Sequence, residues 1–220
     1  MCIIAYGFKK DIGTQRFQNC LTNNPDGFFL LGFKRGCKDD NPEFLIRTLL
    51  KKEVVATWEK IPNDYVVLLH ARIKTHGSIS EKNVHGWNGS GWYFCHNGVL
   101  SIKNKGDLTD SETFFRYLFL PAFGETGIKE TNEGIDDMVN SIIGQSKFVF
   151  WKNGKMLFYG NFERPDKNKF AYFSNSSYKN YGDEVYWNNK TGYSKYSKTY
   201  NYSKKYYSFN SKLIPEKRAQ

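Results

Sequence analysis

Residues 66–69 (VVLL), inside the segment 65–73 (YVVLLHARI), are apolar without a break. Such a run reads as a buried strand, and burying it calls for layers packed around a sheet. The same reading extends outward. Residues 2–8 are apolar and β-rich, and 28–33 (FFLLGF) form a second short run set off by the turn Asn24-Pro25-Asp26-Gly27. Residues 43–60 combine a short apolar run with a helix ending before Pro62. Residues 92–102 contain a strand interrupted by the turn-favouring pair Asn97-Gly98. Residues 147–152, 155–159 and 170–174 read as further strands, the first two joined by Asn153-Gly154. Helices are expected at 111–119, with Asp110 as N-cap, and at 133–143, where Ile135, Met138, Val139, Ile142 and Ile143 share one face. The glycine-rich segment 86–91 lacks a strand–turn–helix setting and reads as a loop. Helices grouped between sets of strands predict a layered α/β or α+β sheet fold.

Composition excludes several classes. The 220 residues suffice for one domain with a real core, and 40% apolar with 25% charged residues fits a soluble globular chain. No stretch approaches the roughly 20 apolar residues of a membrane span, so no membrane contact is expected. The N-terminus lacks a basic region followed by a long apolar run, which argues against a secretory signal. Cys2, Cys20, Cys37 and Cys95 form no CxxC pair, and a reduced, cytoplasmic setting is the simplest reading. Four histidines (His70, His76, His85, His96) crowd one segment, but their spacings match no zinc pattern, so no metal is expected. Phosphate-cradling, metalloprotease, serine-hydrolase and EF-hand motifs are absent from the sequence.

Charge is unevenly placed. Residues 179–220 hold nine Lys/Arg against three acids (Asp183, Glu184, Glu216), so they carry +6 of the formal +10. Within this segment, residues 190–212 are nearly all Lys, Ser, Tyr, Thr and Asn, with too few aliphatic residues to offset chain entropy. It reads as a flexible low-complexity tail behind a body at 2–178. Tyrosines interleaved with lysines could contact a polyanion such as single-stranded nucleic acid, but a solvated or self-packing tail is the simpler reading.

Cys2 carries the chemistry of greatest interest. With Met1 removed, one residue would hold both a thiol and a free α-amine. The amine titrates near 8 and the thiol near 8.5, so nucleophile and proton acceptor would share a residue. The alternative is a small buried residue opening a strand.

The ordered motifs resemble those of class II glutamine amidotransferases, a family of N-terminal nucleophile hydrolases. Cys2 opens a strand, and the turn at 24–27 looks like the family's PDG turn. Residues 70–77 (HARIKTHG) look like its HTRxATHG motif, and Asn83-Val84-His85 follows at the spacing of its NxHP segment. His96-Asn97-Gly98 matches its HNG motif, and Thr109-Asp110-Ser111-Glu112 its (T/S)D(S/T)E motif. Residues 144–178 resemble its C-terminal strands more loosely. Two departures stand out: the proline after the NxH histidine is Gly86 here, and the bulky residue after the arginine is Ile73.

The resemblance implies an α+β, four-layer αββα sandwich in 2–178 and an enzyme that hydrolyses the glutamine side-chain amide to glutamate and ammonia. Cys2 would be the nucleophile, and Asn97 with the Gly98 N–H would form the oxyanion hole. Arg72 would hold the α-carboxylate and Asp110 the α-ammonium, with Thr75 and His76 lining a loop over the glutamine. No cofactor is implied. The ammonia would pass to a synthase partner carrying the acceptor. Another γ-glutamyl amide as substrate, or a catalytically idle binding domain, are the rival functions. Each residue also has a plainer reading: Arg72 as a strand-end cation, Asp110 as an N-cap, Asn97-Gly98 as a hairpin, and His70 and His96 as packing scaffolds.

Overall fold

The computed structural model describes residues 1–37, 41–74, 78–128 and 133–180. Nine strands run in chain order: β1 (Ile3–Phe8), β2 (Phe28–Phe33), β3 (Phe44–Thr48), β4 (Val66–Ala71), β5 (Trp87–Gly89), β6 (Trp92–Asn97), β7 (Lys147–Lys152), β8 (Lys155–Tyr159) and β9 (Ala171–Phe173). The helices are α1 (Lys9–Ile12), α2 (Thr14–Asn23), α3 (Lys51–Lys60), α4 (Asp110–Phe114), α5 (Leu120–Phe123) and α6 (Glu133–Ile142). One sheet has the order β3-β2-β4-β1-β9 and the other β5-β6-β7-β8, with antiparallel neighbours throughout.

Side-chain alternation shows how the sheets stack, since successive strand residues face opposite sides. Ile3 and Ala5 of β1, Phe28 and Leu30 of β2, and Val67 and Leu69 of β4 pack with Phe17 and Leu21 of α2 and Val54 and Trp58 of α3. Their neighbours Ile4, Tyr6, Phe29, Leu31, Val66 and Leu68 turn the other way and meet Tyr93, Cys95, Val149 and Trp151 of the second sheet. That sheet's opposite face, Trp92, Phe94, Phe148 and Phe150, packs on Phe114, Phe119, Ile135 and Val139. Three apolar cores between four layers make the expected αββα sandwich. The unbroken run at 66–69 follows directly, because β4 is central and covered on both faces.

Several local expectations need correction. Residues 86–91 are not a loop, because Trp87–Gly89 pairs with β6 through a tight turn in which Ser90 (φ 47°) and Gly91 (φ 75°) take the left-handed conformation. Asn97-Gly98 does not interrupt a longer strand: β6 ends at Asn97 and none resumes before α4. The N-cap of α4 is Thr109, whose side chain accepts from Glu112 N, and Asp110 is the first helical residue. That helix passes into a π-helical turn, Phe115–Phe119, which keeps Phe115 and Phe119 buried. Helix α2 was not foreseen, although Phe17, Cys20 and Leu21 recur at helical spacing along a mostly polar segment. The tail lies outside the described residues apart from Lys179 and Asn180.

Candidate functional site

The site forms where strand ends gather at one end of the sandwich. In the β1–β4 ladder Ile3 is paired with Ala71. One further step of that register sets Cys2 opposite Arg72. The turn before β2 holds Arg72 in place: Arg72 N donates to Gly27 O at 2.8 Å and Asp26 N donates to Arg72 O at 2.8 Å. The Asp26 carboxylate accepts from Lys74 N at 2.7 Å, so the PDG-like turn fixes the chain on both sides of Ile73. From the second sheet, β6 delivers Asn97 and Gly98 to the same end.

A cavity of about 710 Å³ opens there, and Cys2, Arg72, Asn97, Gly98 and Asp110 all line it. These residues come from the entrance to β1, the exit of β4, the exit of β6 and the start of α4. Thr75 and His76 lie outside the described residues. Met1 also borders the cavity and is 70% exposed.

Cys2 is half-buried, and its Sγ lies 3.6 Å from Ile73 O. Burial pushes the thiol up from its ordinary value, while the nearby Arg72 guanidinium pulls the other way. Arg72 is 4% exposed and donates from Nη1 to Ser78 O at 3.2 Å. Asn83 Nδ2 donates to that same carbonyl at 3.0 Å. The asparagine of the NxH segment thus fastens the chain that leads back from the arginine.

Asn97 is buried, and its Nδ2 donates to Ser174 Oγ at 2.8 Å. Gly98 has φ 147°, and a Cβ there would stand 2.2 Å from Ser146 Oγ. Glycine is required at that position for both conformation and space, which leaves its backbone close to the cavity wall. Asp110 is held by backbone donors: Oδ2 accepts from Leu100 N and Oδ1 from Ser111 N, each at 2.7 Å. A carboxylate has about four lone-pair sites, so acceptor capacity remains for a bound ammonium.

Three buried histidines back this wall. His96 Nδ1 lies 2.6 Å from Ser111 Oγ, and the Ser111 hydroxyl donates to Asp110 Oδ1 at 3.1 Å. With its proton on Asp110, Ser111 accepts from His96, which assigns the Nδ1–H tautomer. The motifs at 96–98 and 109–112 are joined by these hydrogen bonds. His85 Nδ1 accepts from His96 N at 3.2 Å, and the His70 and His85 rings stack 4.0 Å apart. Burial lowers the pKa of all three, His70 to about 3 and His96 to about 4. Among the described residues no group of His, Cys, Asp and Glu is arranged to hold a metal ion. No helix of the described residues is long and apolar enough to cross a membrane.

The departure at Gly86 has a physical reason. Its φ is 87°, which proline's ring forbids, and a Cβ would stand 2.1 Å from the Phe29 ring. Phe29 fills the space between the sheets that a side chain at 86 would need.

Sequence reasoning missed Ser146, Ser174 and Asn175. Asn175 Nδ2 donates to Cys2 O at 2.6 Å and Asn175 Oδ1 accepts from Ser177 N at 2.9 Å. Isolated serines and asparagines at strand ends have no periodicity or motif that would single them out.

No protein-family model matches the chain, and no curated protein matches it. Among solved structures, it is similar to glutamine phosphoribosylpyrophosphate amidotransferase from B. subtilis, complexed with ADP and GMP. The identity is 15% and the TM-score 0.49, over 79% of this chain and 42% of that one. It is also similar to a glutamine aminotransferase class-II domain protein from Silicibacter pomeroyi, at 15% identity and a TM-score of 0.44, over 79% of this chain and 87% of that one. The chain therefore spans less than half the length of the B. subtilis protein.

Proposed function

We propose that this chain is a class II glutamine amidotransferase-type glutaminase, hydrolysing the glutamine side-chain amide to glutamate and ammonia through a Cys2 thioester. The observation that carries the reading is the meeting of Cys2, Arg72, Asn97, Gly98 and Asp110 at one cavity, from four separate places in the fold. Those groups are the ones the reaction needs: a nucleophile, two oxyanion donors, a cation for the α-carboxylate and an anion for the α-ammonium.

Removal of the exposed Met1 leaves the α-amine on Cys2. The amine takes the thiol proton, and Sγ attacks the side-chain carbonyl carbon. Charge gathers on the carbonyl oxygen, where a second Asn97 Nδ2 proton and the Gly98 N–H receive it. The α-ammonium then returns its proton to the departing nitrogen, and ammonia leaves a thioester on Sγ. Water, giving its proton to the same amine, attacks the thioester; glutamate leaves and the thiol is restored. Arg72 and Asp110 hold the α-groups through every step without changing charge. The ammonia passes to a partner that carries the acceptor.

A second reading, hydrolysis of another γ-glutamyl amide, draws on the cavity. Its 710 Å³ lies within the usual range for small-molecule sites, large enough for a substrate bulkier than glutamine. The test of both is release of ammonia and glutamate from glutamine, and of the amine from a γ-glutamyl anilide. Turnover lost in Cys2→Ala supports the reading. No turnover of either by the wild-type chain lacking Met1 contradicts it.

A further inference from the structure

We infer that Ser174 is the positioning residue that aligns the oxyanion donor with the nucleophile. The inference rests on the glutaminase reading and adds to it a residue that touches neither substrate nor reacting atoms.

Ser174 lies just past β9, at the edge of the first sheet. Its backbone N–H donates to Ile4 O at 2.9 Å, continuing the β1–β9 ladder. Its hydroxyl replaces the backbone acceptor that would complete the pair, and Ile4 N donates to Oγ at 2.8 Å. The same oxygen accepts from Asn97 Nδ2, also at 2.8 Å, at the end of the second sheet. One buried hydroxyl therefore ties the strand that begins beside Cys2 to the side chain that would receive the oxyanion.

Asn97 has no second anchor among the described residues. Its Oδ1 is buried without a hydrogen-bond partner. Among the described residues the bond to Ser174 is the one hydrogen bond that fixes the rotation of the amide plane, and it occupies one of the two Nδ2 protons. The direction of the other proton follows from that, because the NH₂ group is planar. An amide side-chain torsion is broad when nothing fixes it. Without the hydroxyl, the plane turns and the free proton no longer points to one place. Oxyanion stabilisation depends on a donor already aimed when charge develops, so the loss falls on kcat. The glutamine α-groups are held elsewhere, by Arg72 and Asp110, so KM should change little.

The experiment is a double-mutant cycle between Ser174 and Asn97 in the chain lacking Met1, with glutamine as substrate. Ser174→Ala should lower kcat about 10- to 100-fold, less than the roughly 10²- to 10³-fold cost of removing an oxyanion donor outright because the donor is misaimed rather than lost, and change KM less than about threefold. In the Asn97→Ala background the same substitution should cost almost nothing, since the side chain it aligns is gone. Alkylation of Cys2 by iodoacetamide, which needs no oxyanion hole, should proceed at the wild-type rate in Ser174→Ala. Ser174→Thr, which keeps the hydroxyl, should recover most of kcat. If the alanine variant does not fold, Ser174→Cys keeps a side-chain atom at that place with only a weak acceptor, and its kcat should fall in the same way. Wild-type turnover with an unchanged kcat in Ser174→Ala overturns the inference and leaves the glutaminase reading standing. An equal loss in the Asn97→Ala background also overturns it, because that marks a general structural role. Absence of turnover in the wild-type chain overturns both.

Discussion

The imidazole rings of His70 and His85 stack 4.0 Å apart and 10° from parallel, and both side chains are buried. Burial keeps them neutral, with His70 held to about 3 and His85 well below its ordinary value. In the unfolded chain both regain a pKa near 6.5. The unfolded state therefore binds more protons as the pH falls below about 6.5, and folding stability falls with it, by about 1.4 kcal/mol per pH unit for each histidine. The contribution is complete above that pH and disappears as the pH falls toward 3. Urea unfolding at pH 7, 6, 5 and 4 measures the slope. His70→Phe, which cannot titrate, should make the slope shallower by about one proton. A slope that does not change in this variant contradicts the assignment of His70 as a buried neutral group.

Gly98→Ala should displace the oxyanion donor at its backbone. The added Cβ meets Ser146 Oγ at 2.2 Å and Ser146 Cα at 2.8 Å, so the backbone of one segment has to move. A loss of about 10²-fold in kcat is expected, together with a lower Tm. Gly13→Ala, away from the cavity, is the control: its φ of 77° is also positive, but nothing lies within 4 Å of the added Cβ. It should lower Tm slightly and leave kcat near the wild-type value. Equal kcat losses in the two variants would reject a special role for Gly98.

Arg72 and Asp110 separate in a way the sequence does not reveal. Arg72→Lys should raise KM for glutamine by about 10- to 100-fold, the size of a lost charge-assisted bond, with kcat little changed. Asp110→Asn should raise KM as well, but it also reaches the fold. Both carboxylate oxygens accept backbone N–H groups, from Leu100 and Ser111. An amide NH₂ would set donor against donor at one of them, costing about 1–3 kcal/mol. Tm should drop by roughly 2–10 °C. An Asp110→Asn variant with unchanged Tm would mean these two bonds contribute nothing.

The strands were legible in the sequence because their burial has a simple signature. Apolar runs such as 28–33 and 66–69 mark strands covered on both faces, and the structure places β2 and β4 inside the sandwich. The Asn153-Gly154 turn between β7 and β8 was visible because its two residues favour the left-handed conformation, with φ of 51° and 70°. Helix α2 was missed because its core-facing residues sit among polar ones with modest helix propensity, so tertiary packing rather than propensity sustains it. Of the residues that line the cavity, five stand within short motifs or at the chain start and were legible: Cys2, Arg72, Asn97, Gly98 and Asp110. Ser174 and Asn175 were not, since they act through hydrogen bonds to residues 77 and 173 positions away in the chain. Contacts of that range leave no local pattern.

The basic tail is expected to bind polyanions and to be dispensable for turnover. All the proposed catalytic and glutamine-holding residues precede position 111. Truncation after residue 180 should leave kcat/KM within a fewfold of the full chain. It should remove affinity for single-stranded DNA, an affinity that weakens steeply between 50 and 200 mM salt in the full chain, about 10-fold or more. Equal DNA affinity of the two forms would discard the role assigned to the tail.

The central claim is that Cys2 is an N-terminal nucleophile for a glutamine side chain. The most direct measurement is incubation with a diazoketone analogue of glutamine, followed by mass spectrometry of the intact chain and its N-terminal peptide. The account predicts one added label, on Cys2 of a chain that has lost Met1, with labelling slowed by excess glutamine and by Arg72→Lys. Labelling at Cys20, Cys37 or Cys95 instead, or turnover by a chain that retains Met1, would contradict it.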